Sequence, residues 1–222
     1  MDEQFWRERW AAGQIGFHEV ESNAFLRRYV ERLGVRASPG ELGVLVPLCG
    51  KSTDLGFLAG QGFAVTGVEL VRAAAEAFFA EHGLSAVDEP WNGFPSLRAA
   101  GIRIAVGDFF QLRLPDGRRF GAAYDRAALV AMKPEDRDRY VATLLGALEP
   151  DARLLLVTFH YEGAGMTGPP FSVPEAEVRR LFASCALDLL ESADITDSEP
   201  RFRERGATYI AEQAWLITTP VR

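Results

Sequence analysis

VLVPLCGKSTDLGFLAGQGFAVTGVEL, residues 44–70, sets out a strand, a turn, a helix and a second strand in succession. Residues 43–48, GVLVPL, form a short, continuous apolar run bounded by breakers, as expected of a strand buried on both faces. The stretch from Ser52 to Ala59 is helix-like, and Gly60 and Gly62 end it. Residues 63–69, FAVTGVE, supply the second strand. The alternation continues outward. Ala74, Ala77 and Phe78 fall on one face of a helix over 72–82 that Gly83 stops. Further strands are expected at 102–106, near 122–124, at 153–159, near 187–193 and at 209–218. Pro134-Glu135-Asp136 opens a helix with the apolar stripe Val141, Leu144, Leu145 and Leu148, and another helix follows Pro174. The run at 153–159 is apolar on both faces and so belongs near the centre of the sheet. Ile210, Ala214 and Leu216 alternate with polar residues, as in an antiparallel strand with one less buried face. This order predicts an α/β fold: a doubly wound, mostly parallel sheet of seven strands with an antiparallel last strand and helices on both faces. The chain reads as one domain over 1–222, with residues 1–40 a helical lid over the mouth of the sheet and 41–222 a Rossmann-like core.

Composition narrows the function. The net charge is −7 and no basic run of five residues occurs, so nucleic acid is not an expected partner. The two cysteines, Cys49 and Cys185, form no C-x-x-C pair, which suits a reducing compartment. The N-terminus, MDEQFWRERW, lacks the basic head and apolar core of a signal peptide, and the longest purely apolar run, 127–132, is far short of a membrane span. A cytoplasmic protein with no membrane partner is expected. The three histidines have no metal-ligand spacing, and no metal is expected.

In such sheets ligands sit beyond the carboxyl ends of the strands, so the first strand points at the site through PLCGKS, residues 47–52. Gly50-Lys51-Ser52 copies the end of a phosphate-binding loop, but Leu45 stands where that loop needs its opening glycine. G-x-G-x-x-G is also absent, which weighs against a dinucleotide pyrophosphate. S-adenosylmethionine carries no phosphate, and one glycine turn suffices for it. Glu69, nineteen residues after Gly50 and at the end of the second strand, suits a pair of ribose hydroxyls, although the spacing alone does not separate cofactor classes.

Residues 44–70 followed by AEAFFAE resemble the thiopurine S-methyltransferase family, and specifically its bacterial branch. So do FWRERWAAGQIGFHE at 5–19, GDFF at 107–110, YDRAALVAMKPEDRDRY at 124–140, GPPFSV at 168–173 and FRERG at 202–206. These motifs cover nearly the whole chain in the family's order. The resemblance implies a class I methyltransferase-like fold, S-adenosylmethionine as cofactor, and methyl transfer to the thiolate of an aromatic or heterocyclic thiol such as a thiopurine (EC 2.1.1.67). It implies that Trp10 closes over the cofactor with Trp6 behind it, that Leu48 lines the pocket, that Glu69 holds the ribose, and that Asp108 and Phe109 flank the adenine. Arg126 would reach the cofactor's carboxylate or the acceptor side, while Phe17 and Arg205 would face the acceptor. Lys133 and the stretch 149–152 depart from the family's usual character, and they read as lying on helix flanks.

The methyl of a sulfonium is already activated, so alignment and exclusion of water are the main tasks. Acidic heterocyclic thiols attack as thiolates, and no dedicated general base is assigned. His18 lies beside Phe17, and Cys49 reads as packing. An arginine, Arg126 or Arg205, is expected to favour the anion electrostatically. Selenium or tellurium nucleophiles form a second acceptor class. A non-catalytic S-adenosylmethionine sensor and a nicotinamide oxidoreductase are the rival functions. A monomer with a small-molecule partner is expected.

Overall fold

A computed structural model of the chain describes residues 3–13, 19–34, 42–115, 117–163, 166 and 168–221. Nine strands form one sheet: β1 (Leu42–Pro47), β2 (Val65–Glu69), β3 (Val87–Asp88), β4 (Ser96–Ala99), β5 (Ile102–Val106), β6 (Phe120–Arg126), β7 (Leu148–Gly163), β8 (Ala186–Asp194) and β9 (Ala207–Thr218). Their order is β3-β4-β5-β2-β1-β6-β7-β9-β8. β5, β2, β1, β6 and β7 run parallel, and β9 is antiparallel to both of its neighbours, β7 and β8. The seven expected strands are therefore present in a doubly wound sheet. Two short antiparallel strands, β3 and β4, extend it from the stretch 85–101, where the sequence shows no clear period.

Helices α1 (Glu3–Ala11), α2 (Ala24–Tyr29), α3 (Asp54–Gly60), α4 (Arg72–Glu81), α5 (Arg137–Gly146), α6 (Glu175–Leu181) and α7 (Pro200–Glu204) complete the fold. One face of the sheet is covered by α2, α3 and α4 through Leu26, Leu55, Leu58, Ala75 and Phe78. The other is covered by α5 and α6 through Tyr140, Val141, Leu144, Val178 and Leu181. Each face thus removes a continuous apolar surface from water, which is the main source of stability in such a fold.

Four details differ from the sequence reading. β9 lies inside the sheet, so Gln213, Ala214, Trp215, Leu216 and Ile217 are all buried, and β8 is the half-exposed edge. Residues 149–152 open β7 instead of flanking a helix; Ala152 N–H donates to Thr219 Oγ1 at 2.9 Å. β6 and β7 both extend beyond the short runs from which they were read. Of the N-terminal helices among the described residues, α1 overhangs the mouth of the sheet. α2 and the 3-10 turn Val30–Leu33 instead bury Phe25, Leu26, Val30 and Leu33 against the first face.

β6 shows how the strand period distributes roles. Tyr124 and Asp125 face opposite sides of the sheet, as successive strand residues must. Tyr124 O–H donates to Asp54 Oδ2 at 3.0 Å, and the other oxygen of Asp54 accepts Asn23 N–H at 2.7 Å. Asn23 in turn caps α2, accepting N–H of Phe25 at 2.9 Å and of Leu26 at 3.3 Å. One buried carboxylate thereby ties α2, α3 and β6 together. On the opposite face Asp125 accepts Tyr140 O–H at 2.7 Å and Leu129 N–H at 3.1 Å. Burial raises the Asp125 carboxyl to about 6. Replacing Tyr140 with Phe removes a donor from a fully buried carboxyl and is expected to destabilise the protein by about 1–3 kcal/mol. A lowered urea midpoint at unchanged slope checks this; an unchanged midpoint contradicts it.

Candidate active site

The strand order reverses at β1, where the chain goes first to β2 and later returns to β6 on the other side. A cavity of about 520 Å³ opens there, at the carboxyl ends of β1, β2, β6 and β7. Leu48 and Gly50 line it after β1, Glu69 and Leu70 at the end of β2, and Arg126 and Ala127 at the end of β6. Leu48 and Ala127 adopt φ of 47° and 65°, left-handed values that are unfavourable for residues with a Cβ. Backbone strain of this kind is held where the surrounding structure over-determines it, and here both examples stand on the cavity wall.

Glu69 fixes the floor. Its Oε2 accepts Gly50 N–H at 2.9 Å and its Oε1 accepts Val71 N–H at 2.8 Å. Burial nevertheless raises the carboxyl to about 7, against the lowering effect of these hydrogen bonds. Cys49, beside it, lies against Gly67, where an added Cβ would meet Cys49 Sγ at 2.5 Å. Burial pushes the Cys49 thiol well up, so the side chain serves packing. Lys51 pairs with Glu81 at 2.5 Å and is not on the cavity lining, in keeping with the rejection of a phosphate loop.

The roof comes from α1. Trp6 and Trp10 pack on Leu70, Val71 and Ala74 at the start of α4, and Arg9 joins them on the lining. The far wall comes from β7, β9 and the α7 region and includes Phe159, Phe202, Arg205 and Glu212. Arg126 is bridged to Glu19, which lines the same space. Burial raises the Glu19 carboxyl, with Arg126 opposing that effect.

Seven of the residues singled out in the sequence thus meet on one cavity: Trp6, Trp10, Leu48, Gly50, Glu69, Arg126 and Arg205. Asp108 and Phe109 do not line it. Phe109 is only 2% exposed and its ring lies 5.4 Å from that of Tyr140, so the ring serves the core and is not offered to an adenine. Asp108 accepts Phe110 N–H at 3.0 Å and caps the 3-10 turn Phe109–Gln111. Both still stand at the strand exits, since Gly107 N–H donates to the Glu69 carbonyl at 2.8 Å. Phe17 and His18 lie outside the described residues. His82 contacts the Phe78 carbonyl at 2.8 Å and His160 contacts Ser172 Oγ at 3.0 Å; neither is on the lining. Among the described residues no group of three His, Cys, Asp or Glu is placed to hold a metal, and no helix is long and apolar enough to cross a membrane. The sequence reading missed Arg9, Glu19, Glu199 and Glu212. Of these, Glu212 had a signal: it is the one acid in the otherwise apolar and neutral run at 209–218.

Comparison with known proteins settles the family. The model of the family described as thiopurine S-methyltransferase matches residues 1–220. The chain belongs to the thiopurine S-methyltransferase family. It is 46% identical over 219 residues to a thiopurine S-methyltransferase of Pseudomonas entomophila, covering 98% of this chain and 100% of the relative. It is 42% identical over 218 residues to one of Pseudomonas putida, with coverage of 98% and 100%. Among solved structures it resembles the 1,6-didemethyltoxoflavin-N1-methyltransferase of Burkholderia thailandensis, with a TM-score of 0.60, 19% identity, and 98% and 87% of the two chains covered. An S-adenosylmethionine-dependent methyltransferase of Methanosarcina mazei gives a TM-score of 0.62 at 16% identity, covering 91% and 100%. At these identities the structural likeness concerns the fold.

The family's cofactor, S-adenosylmethionine, suits the residues present. The cavity is of the size that small ligands use, the Glu69 carboxylate stands on its floor, and no glycine-rich loop for a diphosphate is built beside it. Glu69 accepts hydroxyl protons best when ionised. Cofactor affinity is therefore expected to rise with pH through about 7, where the raised carboxyl of the ligand-free protein loses its proton. Calorimetry with S-adenosylhomocysteine should show tighter binding at pH 8 than at pH 6. Glu69→Ala should weaken binding by about 1–3 kcal/mol and remove this pH dependence. Unchanged affinity in the variant would take Glu69 out of the site.

Proposed function

We propose that this protein transfers the methyl group of S-adenosylmethionine to the sulfur of a small aromatic or heterocyclic thiol, with thiopurines among its acceptors. The observation that carries the reading is the meeting, on one cavity, of a ribose-type carboxylate on the floor, an aromatic roof and two arginines on the walls. Family membership and the names of the relatives support the same chemistry.

When bound, the cofactor supplies an electrophilic methyl on a sulfonium. The protein's own work is to hold and align. Glu69 takes the sugar, and Leu48 and Leu70 form the apolar bed beside it. Trp6 and Trp10 close the mouth and exclude water, which strengthens every charge interaction inside. Phe159 and Phe202, whose ring centroids lie 5.0 Å apart, offer flat apolar surface to a planar acceptor. Arg126 is held at the end of β6, and its positive charge favours the thiolate over the thiol. Arg205, stacked over Phe202 at 5.9 Å, adds a second cation at the more exposed end.

Methyl transfer to a panel of aromatic thiols, selenols and selenite tests the reading. Turnover with aromatic thiols is expected, and binding of S-adenosylhomocysteine with no turnover on any acceptor would leave a sensor instead. Arg126→Ala is expected to lower kcat/KM for thiols by about 100-fold, the scale of losing one electrostatic stabiliser, while cofactor affinity stays within a few-fold. Equal losses in cofactor binding and turnover would place Arg126 on the cofactor's carboxylate.

A further inference from the structure

The far wall of the cavity holds a carboxylate for which the reaction as described has no use. Glu212 lies on β9 opposite Phe159 of β7, so the two side chains share one face of the sheet. Arg126 pairs with Val157 two residues earlier on β7 and projects from that same face. All three line the cavity. Three of the neighbouring carboxylates are already engaged, Glu69 by Gly50 and Val71, Glu19 by Arg126, and Asp54 by Asn23 and Tyr124, while Glu199 stands at the head of α7 on the same lining. Among the described residues, Glu212 accepts no hydrogen bond. A partly buried carboxylate on a ligand cavity with no protein donor is arranged to meet a donor from a ligand.

The acceptor chemistry proposed above supplies one. Many heteroaromatic thiols exist as thiones, in which the proton sits on a ring nitrogen beside the C=S group. Sulfur methylation of that form must also remove the N–H proton. We propose that Glu212 receives this proton: the acceptor docks with its ring N–H on the Glu212 carboxylate and its sulfur toward the cofactor side of the cavity. The sulfur lone pair forms the new S–CH3 bond as the sulfonium C–S bond breaks onto the cofactor's sulfur. The N–H electron pair closes a ring C=N bond as the π pair of the C=S bond returns to sulfur, and the proton passes to Glu212 and then to solvent. The cationic sulfonium, neutral thione and carboxylate become a neutral thioether, a neutral methylated heterocycle and a carboxylic acid, so charge balances.

The surroundings suit a group that must both take and release a proton. Burial raises the Glu212 carboxyl to about 7, opposed by Arg126 from β6. Glu19 before α2, Glu199 at the head of α7 and Asp54 at the start of α3 push it the same way as burial. Arg201 and Arg205 also line the space. A base with its pKa near the working pH is the efficient choice.

The inference rests on the thiol-methylation reading, and two acceptors separate the two. 2-Thiopyridone carries the ring N–H; 4-nitrothiophenol carries none and reacts as a ready thiolate. With the wild-type protein saturated with S-adenosylmethionine at every pH, so that titration of Glu69 does not enter, kcat/KM for 2-thiopyridone is expected to rise with pH with a midpoint near 7. In Glu212→Gln it should fall about 100-fold, the lower end for loss of a general base, with that midpoint gone, while the loss on 4-nitrothiophenol stays within about threefold. With S-adenosylhomocysteine bound, the affinity for 2-thiopyridone should rise through the same pH range in the wild type and be flat in the variant. Unchanged binding of S-adenosylhomocysteine verifies that the variant is folded. Should it not fold, Glu212→Asp carries the same comparison, with a smaller selective loss. Equal losses on both acceptors, or an unaltered pH profile, overturn the role of Glu212. Absence of turnover on either acceptor in the wild type overturns the parent reading instead.

Discussion

Gly50 and Val71 each give a backbone N–H to one oxygen of Glu69, and through that carboxylate the exits of β1 and β2 are held together. Both strands are buried and parallel, in register from Val44 opposite Val65 to Pro47 opposite Val68. The chain leaving β1 must then turn at once, and it does so through two left-handed residues, Leu48 and Gly50. A buried carboxyl with its two donors fixed resists collapse of that turn, and the space it keeps open is the cavity. The raised proton affinity of Glu69 shows that the arrangement costs folding free energy. A raised carboxyl contributes stability that is complete below about pH 4.5 and is lost as pH rises through about 7. Strain and desolvation gathered at one place are the mark of a site shaped for a ligand and not for stability alone.

The rest of the site follows from strand period. On β6, Tyr124 is spent on Asp54, Asp125 on Tyr140, and only Arg126 emerges at the strand end with its charge turned to the cavity. On β7 and β9, Phe159 and Glu212 face each other across one rung of the ladder. Shifting any of these strands by one residue would move the charged or aromatic group to the opposite face, into the core built by α5 and α6. The functional geometry therefore inherits its precision from the same register that buries Leu154, Leu155, Leu156 and Val157.

The sequence carried much of this. Continuous apolar runs at 43–48 and 153–159 locate the central strands because burial on both faces leaves no polar position. Glu69 is legible because a carboxylate at the end of such a run has to be at the mouth, whereas Arg126 is singled out only by the family resemblance. β3 and β4 escaped because they are short and lie at the sheet's edge, where half-exposure removes the period. β9 reads as half-exposed because the placement of β8 outside it is a property of topology, not of local pattern. Phe109 is placed at the adenine by the family resemblance alone, yet its ring is used against Tyr140. Glu19 and Glu212 meet at Arg126 from positions almost two hundred residues apart, a proximity that no local window contains.

The most direct measurement is a crystal structure of the protein with S-adenosylhomocysteine. Both ribose hydroxyls are expected on the Glu69 carboxylate, with the adenosine running along Leu48 and Leu70 and the sulfur directed toward Arg126. A ligand seated elsewhere, or a ribose turned away from Glu69, would contradict this placement.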